Sequence, residues 1–402
     1  MATTEADLIR YIDALPGPGW LADERRAAAH LDARTELPHW DRTDISGLDL
    51  SRFVLPAGGT VEIALPPEAR DKGVIAGAIA DLARDEPELV RRHLGRVVPA
   101  DAGKFEARNA AAHQGCLVYV PAGAVLSAPV RITYRLGAGG AAQFHPRTVL
   151  VLGRTAEARV FQREEGGPAP GGGAALVTSV VEADIADGAQ LQFVEIQNWG
   201  LGVQNFTTRR CELGRDARVQ WLLGELGAGL SRSGTTSVLR GMGGDALSQL
   251  VFFASATQHM DLLATLQHHG ARTNGLMLAK GVLTGRSRAI YRGTSDIKHG
   301  AKDSNSQQKE SSLHLSGGVR SDAIPALYID ENELQAGHAA TTGKVDEEQL
   351  FYMQARGLPR REAERLIVHG FFAPLVEKIP LEQAREELAA LVDRKVDGGT
   401  GA

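Results

Sequence analysis

A short phrase, a turn followed by a strand, recurs through the middle of this chain and limits its possible folds more than any single residue does. It reads TAEARVF, DGAQLQF, GRDARVQW and GGDALSQL, and its alanines, Ala158, Ala189, Ala217 and Ala246, follow one another at steps of about 30 residues. A looser echo, GRSRAIY, carries Ala289 farther along. Between these phrases lie short β runs such as RTVLVLG, LVTSVVEADI, FTTRRCEL and SQLVFFAS, with no helical period separating them. The chain is therefore not an alternating βαβ protein. Short strands at this repeat predict a β-solenoid, with each small residue at a corner too tight for a bulky side chain. An antiparallel sandwich with chance turn similarity is the alternative that periodicity leaves open. Composition leans toward the solenoid: 46 glycines suit many tight turns, while only 5% of residues are aromatic, which is little filler for a sandwich core.

The flanks read differently. Leu8, Ile12 and Leu15 fall at helical spacing before Pro16, Gly17 and Pro18, and Trp20, Leu21, Glu24, Ala27, Ala28 and Leu31 resume a helical face. A loop containing Pro38 and Trp40 follows, and residues 73–115 suggest two or three further short helices. Beyond Val345, Asp346 is a candidate N-cap with Gln349 in the capping-box position. Gly357 and Gly370 are candidate helix stops, and Leu381, Ala384, Leu388, Leu391 and Val392 line one face of a last helix. The expected division is a helical region over 1–114, a β core over 115–344, a helical region over 345–395 and a disordered tail over 396–402. Helices at both ends are expected to cover the open ends of the solenoid.

Several function classes are disfavoured. Of 402 residues, 44 are Lys or Arg and 49 Asp or Glu, a formal charge of −5, which argues against a general nucleic-acid surface. No apolar run is long enough to span a membrane, and the opening MATTEADLIRYIDALPG lacks the hydrophobic stretch of a secretory signal. The expected location is the cytoplasm. There is no GxxxxGK[ST] loop, no GxSxG and no HExxH; the cluster EEGGPAPGGGAA at 164–175 follows a strand without opening a helix and reads as an exposed loop. Cys116 and Cys211 lie on strand patterns and read as buried, inert thiols, with Arg209 and Arg210 leaving a reactive Cys211 as the alternative. His268 and His269 would point to opposite faces of a strand and cannot readily share an ion, and they read, with His259, as packed or solvated. His338, in QAGHAATTGKV, is bracketed by small residues; it is either an accessible metal ligand or a histidine hydrogen-bonded within a terminal strand.

From residue 291 onward the order YRGTSDI, SSLHLS, ALYIDENELQAGHAATTGKVDEEQLFYMQARGL and AERLIVHGFF resembles the SufB/SufD family of iron–sulfur cluster assembly proteins. CLVYVPAGAVLSAPVRI and HPRTVLVLG resemble that family's first core strands, so the likeness covers roughly 115–392. Where SufB has a cysteine in a C-D-S-L-L phrase, this chain has Glu310. Ala339 follows His338 where SufB has a glutamate, and Ala336 stands where SufD often has a cysteine. The pattern is most similar to the SufD branch.

The resemblance implies a mainly β fold, a right-handed parallel β-helix flanked by N-terminal and C-terminal helical regions. It also implies a non-catalytic subunit that pairs with SufB and holds the ATPase SufC through its C-terminal helices, with Gln349, Phe351, Tyr352 and Arg356 as candidate contacts. His338, and more distantly Glu310, become candidate ligands for iron or a nascent cluster at the SufB interface. No cofactor is expected to stay on this chain alone. The sequence leaves the oligomeric state of the isolated chain open; a homodimer through the surface meant for SufB is one option. Two other readings stand beside this one: a SufB-like homodimeric scaffold, which Glu310 opposes, and a carbohydrate-active β-helix enzyme.

Overall fold

The computed structural model describes residues 4–398 except 54, 56, 57, 138–141, 170 and 172. Its centre is a parallel β-solenoid whose strands run from Gln114–Val120 to Leu334–Lys344 and alternate between two sheets. Each turn adds one strand to each sheet, in register. Glu157 stands over Gln190, which stands over Arg218, which stands over Asp245.

The corner that starts one sheet's strands explains the recurring phrase. Thr155, Gly188, Asp216, Gly243, Arg272 and Asp303 all have left-handed backbone, with φ of 57, 70, 53, 75, 55 and 57°. Each donates its N–H to a carbonyl of the next turn, at 2.7–3.0 Å. The residue after each is buried and small or short: Ala156, Ala189, Ala217, Gly244, Thr273 and Ser304. The four alanines of the repeat are therefore not one column. Ala189 and Ala217 share the corner, whereas Ala158 and Ala246 stand two residues on, stacked with Leu191 and Val219. Ala289 belongs to the other sheet, paired with Met260 and Ser321. Tight turns and buried alanines recur on both sides of a coil, so phrase similarity alone cannot set the register.

The N-terminal region is not purely helical. Helices α1 (Glu5–Ala14), α2 (Gly19–Arg34), α3 (Ile79–Asp85), α4 (Pro87–His93) and α5 (Lys104–Ala112) are joined by strands Gly59–Ala64 and Ile75–Ala78. Those strands pair antiparallel with the first coil, one on each sheet, and close that end. The helices lie alongside. The Glu182 carboxylate accepts from the backbone N–H of Gly95, Val97 and Val98 and from Arg147, fastening this region to the solenoid wall. The Trp40 loop is held by stacking on Phe105, by a tilted ring contact with Phe206, by the Arg232 guanidinium 4.4 Å above the indole, and by Thr43 donating to Asp261.

The C-terminal helices are α6 (Glu347–Ala355), α7 (Arg360–Val376) and α8 (Glu382–Val396). Asp346 caps α6 by accepting from Glu348 N–H at 2.9 Å. Helix α7 does not stop at Gly370. It continues because Phe372 and Leu375 bury against Phe253 and Val282 on the outer sheet face, and that packing outweighs glycine's weak helix preference. Ala384, Leu388, Leu391 and Val392 bury as their spacing predicts. These helices therefore cover a side of the solenoid, from Phe161 to Leu313, and not its end. The proposed disordered tail begins inside α8, and residues 399–402 lie outside the described residues.

The solenoid interior is mixed. Phe193 meets Trp221 edge-on at 5.2 Å, yet Glu164, Glu195, Arg209 and Glu225 are also fully buried there. Arg209 pairs with Glu195 and, at 2.9 Å, with Glu225; Glu164 accepts from Ser179 and from the Trp199 indole at 3.1 Å. Three carboxyls share one guanidinium, so burial and mutual repulsion push Glu164 up to about 8 and it keeps its proton near neutrality. Arg209→Met strands two buried acids and is expected to cost about 3–5 kcal/mol. Adding Glu195→Gln and Glu225→Gln should restore much of that loss, as read by urea midpoints.

Candidate functional site

The two ends of the solenoid differ. The first coil is closed by the antiparallel strands, while the last coil, Arg320–Ile329 and Leu334–Lys344, forms the outer edge of both sheets. Its side chains are mostly exposed, with Tyr328 at 63% and Ile329 at 48%. Parallel edges with free N–H and C=O groups favour the addition of another strand.

His338 stands in this last strand, exposed, with Gln308 as its register partner. Glu310 pairs with Ala340 in the same ladder, so Gln308, Glu310, His338 and Ala340 share one face of the pleat. That face looks into the solenoid: Ser312, next on it, lies 2.9 Å from Ser321 across the interior and donates to Thr342 at 3.0 Å. Gln308 donates to Ser295 and to the Ala326 carbonyl. Glu310 is 7% exposed with no cation paired to it among the described residues, and burial pushes it up to about 8. Burial, and after it Glu310, raises the neighbouring Tyr291 phenol. At neutral pH Glu310 is therefore mostly a neutral carboxylic acid. The exposed imidazole and the buried acid sit on one face at different depths, and no group of three metal-ligating side chains exists among the described residues.

The SufC-side candidates form a compact exposed patch. Phe351 is 73% and Tyr352 60% exposed on α6, whose Leu350 is buried, and Gln349 is exposed beside them. The Arg356 guanidinium lies 5.2 Å over the Tyr352 ring and donates to its hydroxyl at 3.1 Å.

Other candidates are packed. Burial lifts the Cys116 thiol to about 11 and the Cys211 thiol to about 12, because Arg209 is turned to its carboxylates and Arg210 has little effect. His268 is buried, with Nδ1 2.8 Å from the Thr273 hydroxyl, and His269 is half-exposed beyond the strand's end. His259 Nε2 lies 3.0 Å from the Thr43 hydroxyl. The segment 164–175 is only partly a loop, since the strand Glu157–Gly166 carries Glu164 into the interior. Residues 170 and 172 of that segment lie outside the described residues. The interior acids were missed because their only sequence signal is alternation within strands, which does not separate the inner from the outer face.

Comparison with known proteins places these features in a family. Residues 134–371 match a model described as the SUF system FeS cluster assembly SufBD core domain, and residues 29–132 match the SufBD protein N-terminal region. The chain is 32% identical to the iron–sulfur cluster assembly protein SufD of Bacillus subtilis over 356 residues, covering 88% of this chain and 81% of that one. It is 27% identical to a SufBD family protein of Staphylococcus epidermidis, covering 96% and 91%, and 30% identical to one of Staphylococcus aureus, covering 83% and 71%.

The raised Glu310 carboxyl has a measurable consequence. Its proton is held more tightly in the folded chain than in the unfolded one, so this group's contribution is fully present below 4.5 and is lost as pH rises toward 8. Glu310→Gln should remove that part of the pH dependence and raise the urea midpoint at pH 8 relative to the parent. A variant whose stability–pH curve parallels the parent's would contradict the assignment.

Proposed function

The chain belongs to the SufBD family of iron–sulfur cluster assembly proteins, and on that premise we propose that it is a non-catalytic subunit that pairs with SufB through its open solenoid end and holds SufC on its C-terminal helices. The observation that carries this reading is the asymmetry of the ends: one edge is sealed by the chain's own strands, while the other, the last coil, is left unpaired and mostly exposed. A bare parallel edge offers backbone pairing to a second solenoid. The same edge accounts for a homodimer when the chain is alone. No helix among the described residues is long and apolar enough to cross a membrane, and we place the work in the cytoplasm.

The chain has no phosphate-binding loop, so ATP hydrolysis belongs to SufC. Iron or a nascent cluster is cargo, held between subunits. His338 is exposed at the edge that meets the partner and offers an imidazole nitrogen, while the soft thiolate that iron favours comes from SufB. Glu310, protonated and partly withdrawn, does not serve as an anionic ligand in this state. The aromatic patch of α6 is the SufC contact, since exposed Phe and Tyr beside an arginine are typical anchors of protein interfaces.

Two measurements test the two surfaces separately. Replacing Phe351 and Tyr352 with alanine should weaken SufC binding by at least about tenfold without moving the melting temperature, because both side chains are exposed. This is cleaner than removing 344–402, which would bare Phe253 and Val282. His338→Ala should slow cluster assembly by the reconstituted complex several-fold while leaving complex formation and thermal stability unchanged. Assembly at the parent rate would return His338 to a hydrogen-bonding role.

A further inference from the structure

A cavity of about 300 Å³ lies between α2, the segment 94–100 and the end of α5, with no wall from the last coil or from α6–α8. Leu21, Ala28, Leu31 and Leu94 give it an apolar lining, and Arg25 and His113 bring polar groups to it. Arg25 is 3% exposed and no carboxylate pairs with it among the described residues. Its Nη1 donates to the Pro16 carbonyl at 2.9 Å and its Nη2 reaches the His113 carbonyl only at 3.5 Å, while Nε has no partner. Burial draws its pKa down to about 10, so it remains a cation at neutral pH. His113 is 3% exposed, and its Nδ1 also lacks a partner. Burial, Arg25 and Arg147 keep that ring neutral.

The other charges of the lining are accounted for. Arg147 is paired with Glu182 at 2.8 Å, and Glu24, the one carboxylate on the wall, is exposed, with partial burial raising its pKa and Arg91 opposing that shift. What remains is a buried guanidinium without a counter-charge, which is costly unless an anion reaches it. The adjoining space is small, open at one side and mostly apolar. A phosphate or a dicarboxylate would need more donors than two groups supply and would desolvate charge against leucines.

We propose that this cavity binds a small monocarboxylate with an apolar body of roughly six to ten carbons, near the lower size limit of small-molecule pockets. Its carboxylate is the counter-ion of Arg25 and accepts a second hydrogen bond from His113 Nδ1–H, while its chain lies along Leu21, Ala28, Leu31 and Leu94. The site is independent of the assembly role and stands or falls without it.

The test is calorimetric titration of the full chain with octanoate and with 1-octanol, its uncharged counterpart. Octanoate should bind saturably, and octanol at least tenfold more weakly. Arg25→Gln should weaken octanoate at least tenfold and leave octanol unchanged. Ala27→Phe, at an exposed residue of the lining, should block both. No saturable octanoate binding, equal binding of octanol, or octanoate affinity unchanged by Ala27→Phe would each overturn the proposal. If Arg25→Gln fails to fold, the octanol comparison and Ala27→Phe decide the matter.

Discussion

In-register stacking at one left-handed corner is the constraint on which the rest of the structure depends. Thr155, Gly188, Asp216, Gly243, Arg272 and Asp303 take the same positive φ and hand their N–H groups to the next turn, so each coil inherits its register from its neighbour. Four of the six are not glycine. A non-glycine residue in this conformation costs on the order of 1 kcal/mol, and the hydrogen bond across the turn, together with the burial of the following residue, offsets it. Because the corner sets the register, it also decides which residues of every strand face inward. Trp221, Cys211 and Glu195 are interior for that reason, and Phe161, Val194 and Phe253 are free to receive helices outside.

A solenoid built this way has two edges and no internal means of ending. The chain seals one edge with Gly59–Ala64 and Ile75–Ala78, which run antiparallel and so cannot propagate the coil. At the other edge the small residues Ala339, Ala340, Thr341 and Thr342 offer little bulk to pack against, and among the described residues no helix folds over it. The C-terminal helices are instead drawn to the side by Phe161, Ile196, Leu222 and Phe253, a continuous apolar stripe that the end does not offer. Lys395 of α8 docks there with its ammonium donating to Ser255 and Gln258. Burial lowers it to about 7, so the contact does not require a full buried charge.

Much of this was legible before any coordinates. Repeat length and the absence of helical periods pointed to a solenoid, because both follow from backbone geometry that leaves its mark at every turn, but they left a sandwich open until the family resemblance was added. The register was not legible: Ala158 and Ala189 look alike in sequence, yet one follows the corner by three residues and the other by one. Helix ends in contact with the solenoid were not legible either, since Gly370 stops an isolated helix but not one whose next turn buries Phe372. The two antiparallel strands were hidden by brevity. Of the candidate site residues, the small neighbours of His338 were visible in the sequence, whereas the α6 residues came only from the family resemblance. The interior acids were not legible, because pairing Glu195 with Arg209 is a fact about two strands of different sheets.

The interior acids also clarify what Glu310 can do. Glu164 and Glu310 are both pushed up to about 8, the first mainly by burial and then by neighbouring acids, the second by burial alone. Glu310 lies one coil from the open end, where the Ala340 above it adds little cover. Adding a second solenoid to that edge deepens its burial and favours its neutral form further, whereas a cation at the junction acts in the opposite sense and draws the proton off. Added cover and added positive charge at that edge therefore move this carboxyl in opposite directions. His338, on the same face two residues from Ala340, is already exposed at that edge. The acid thus registers both what covers that edge and what charge reaches it.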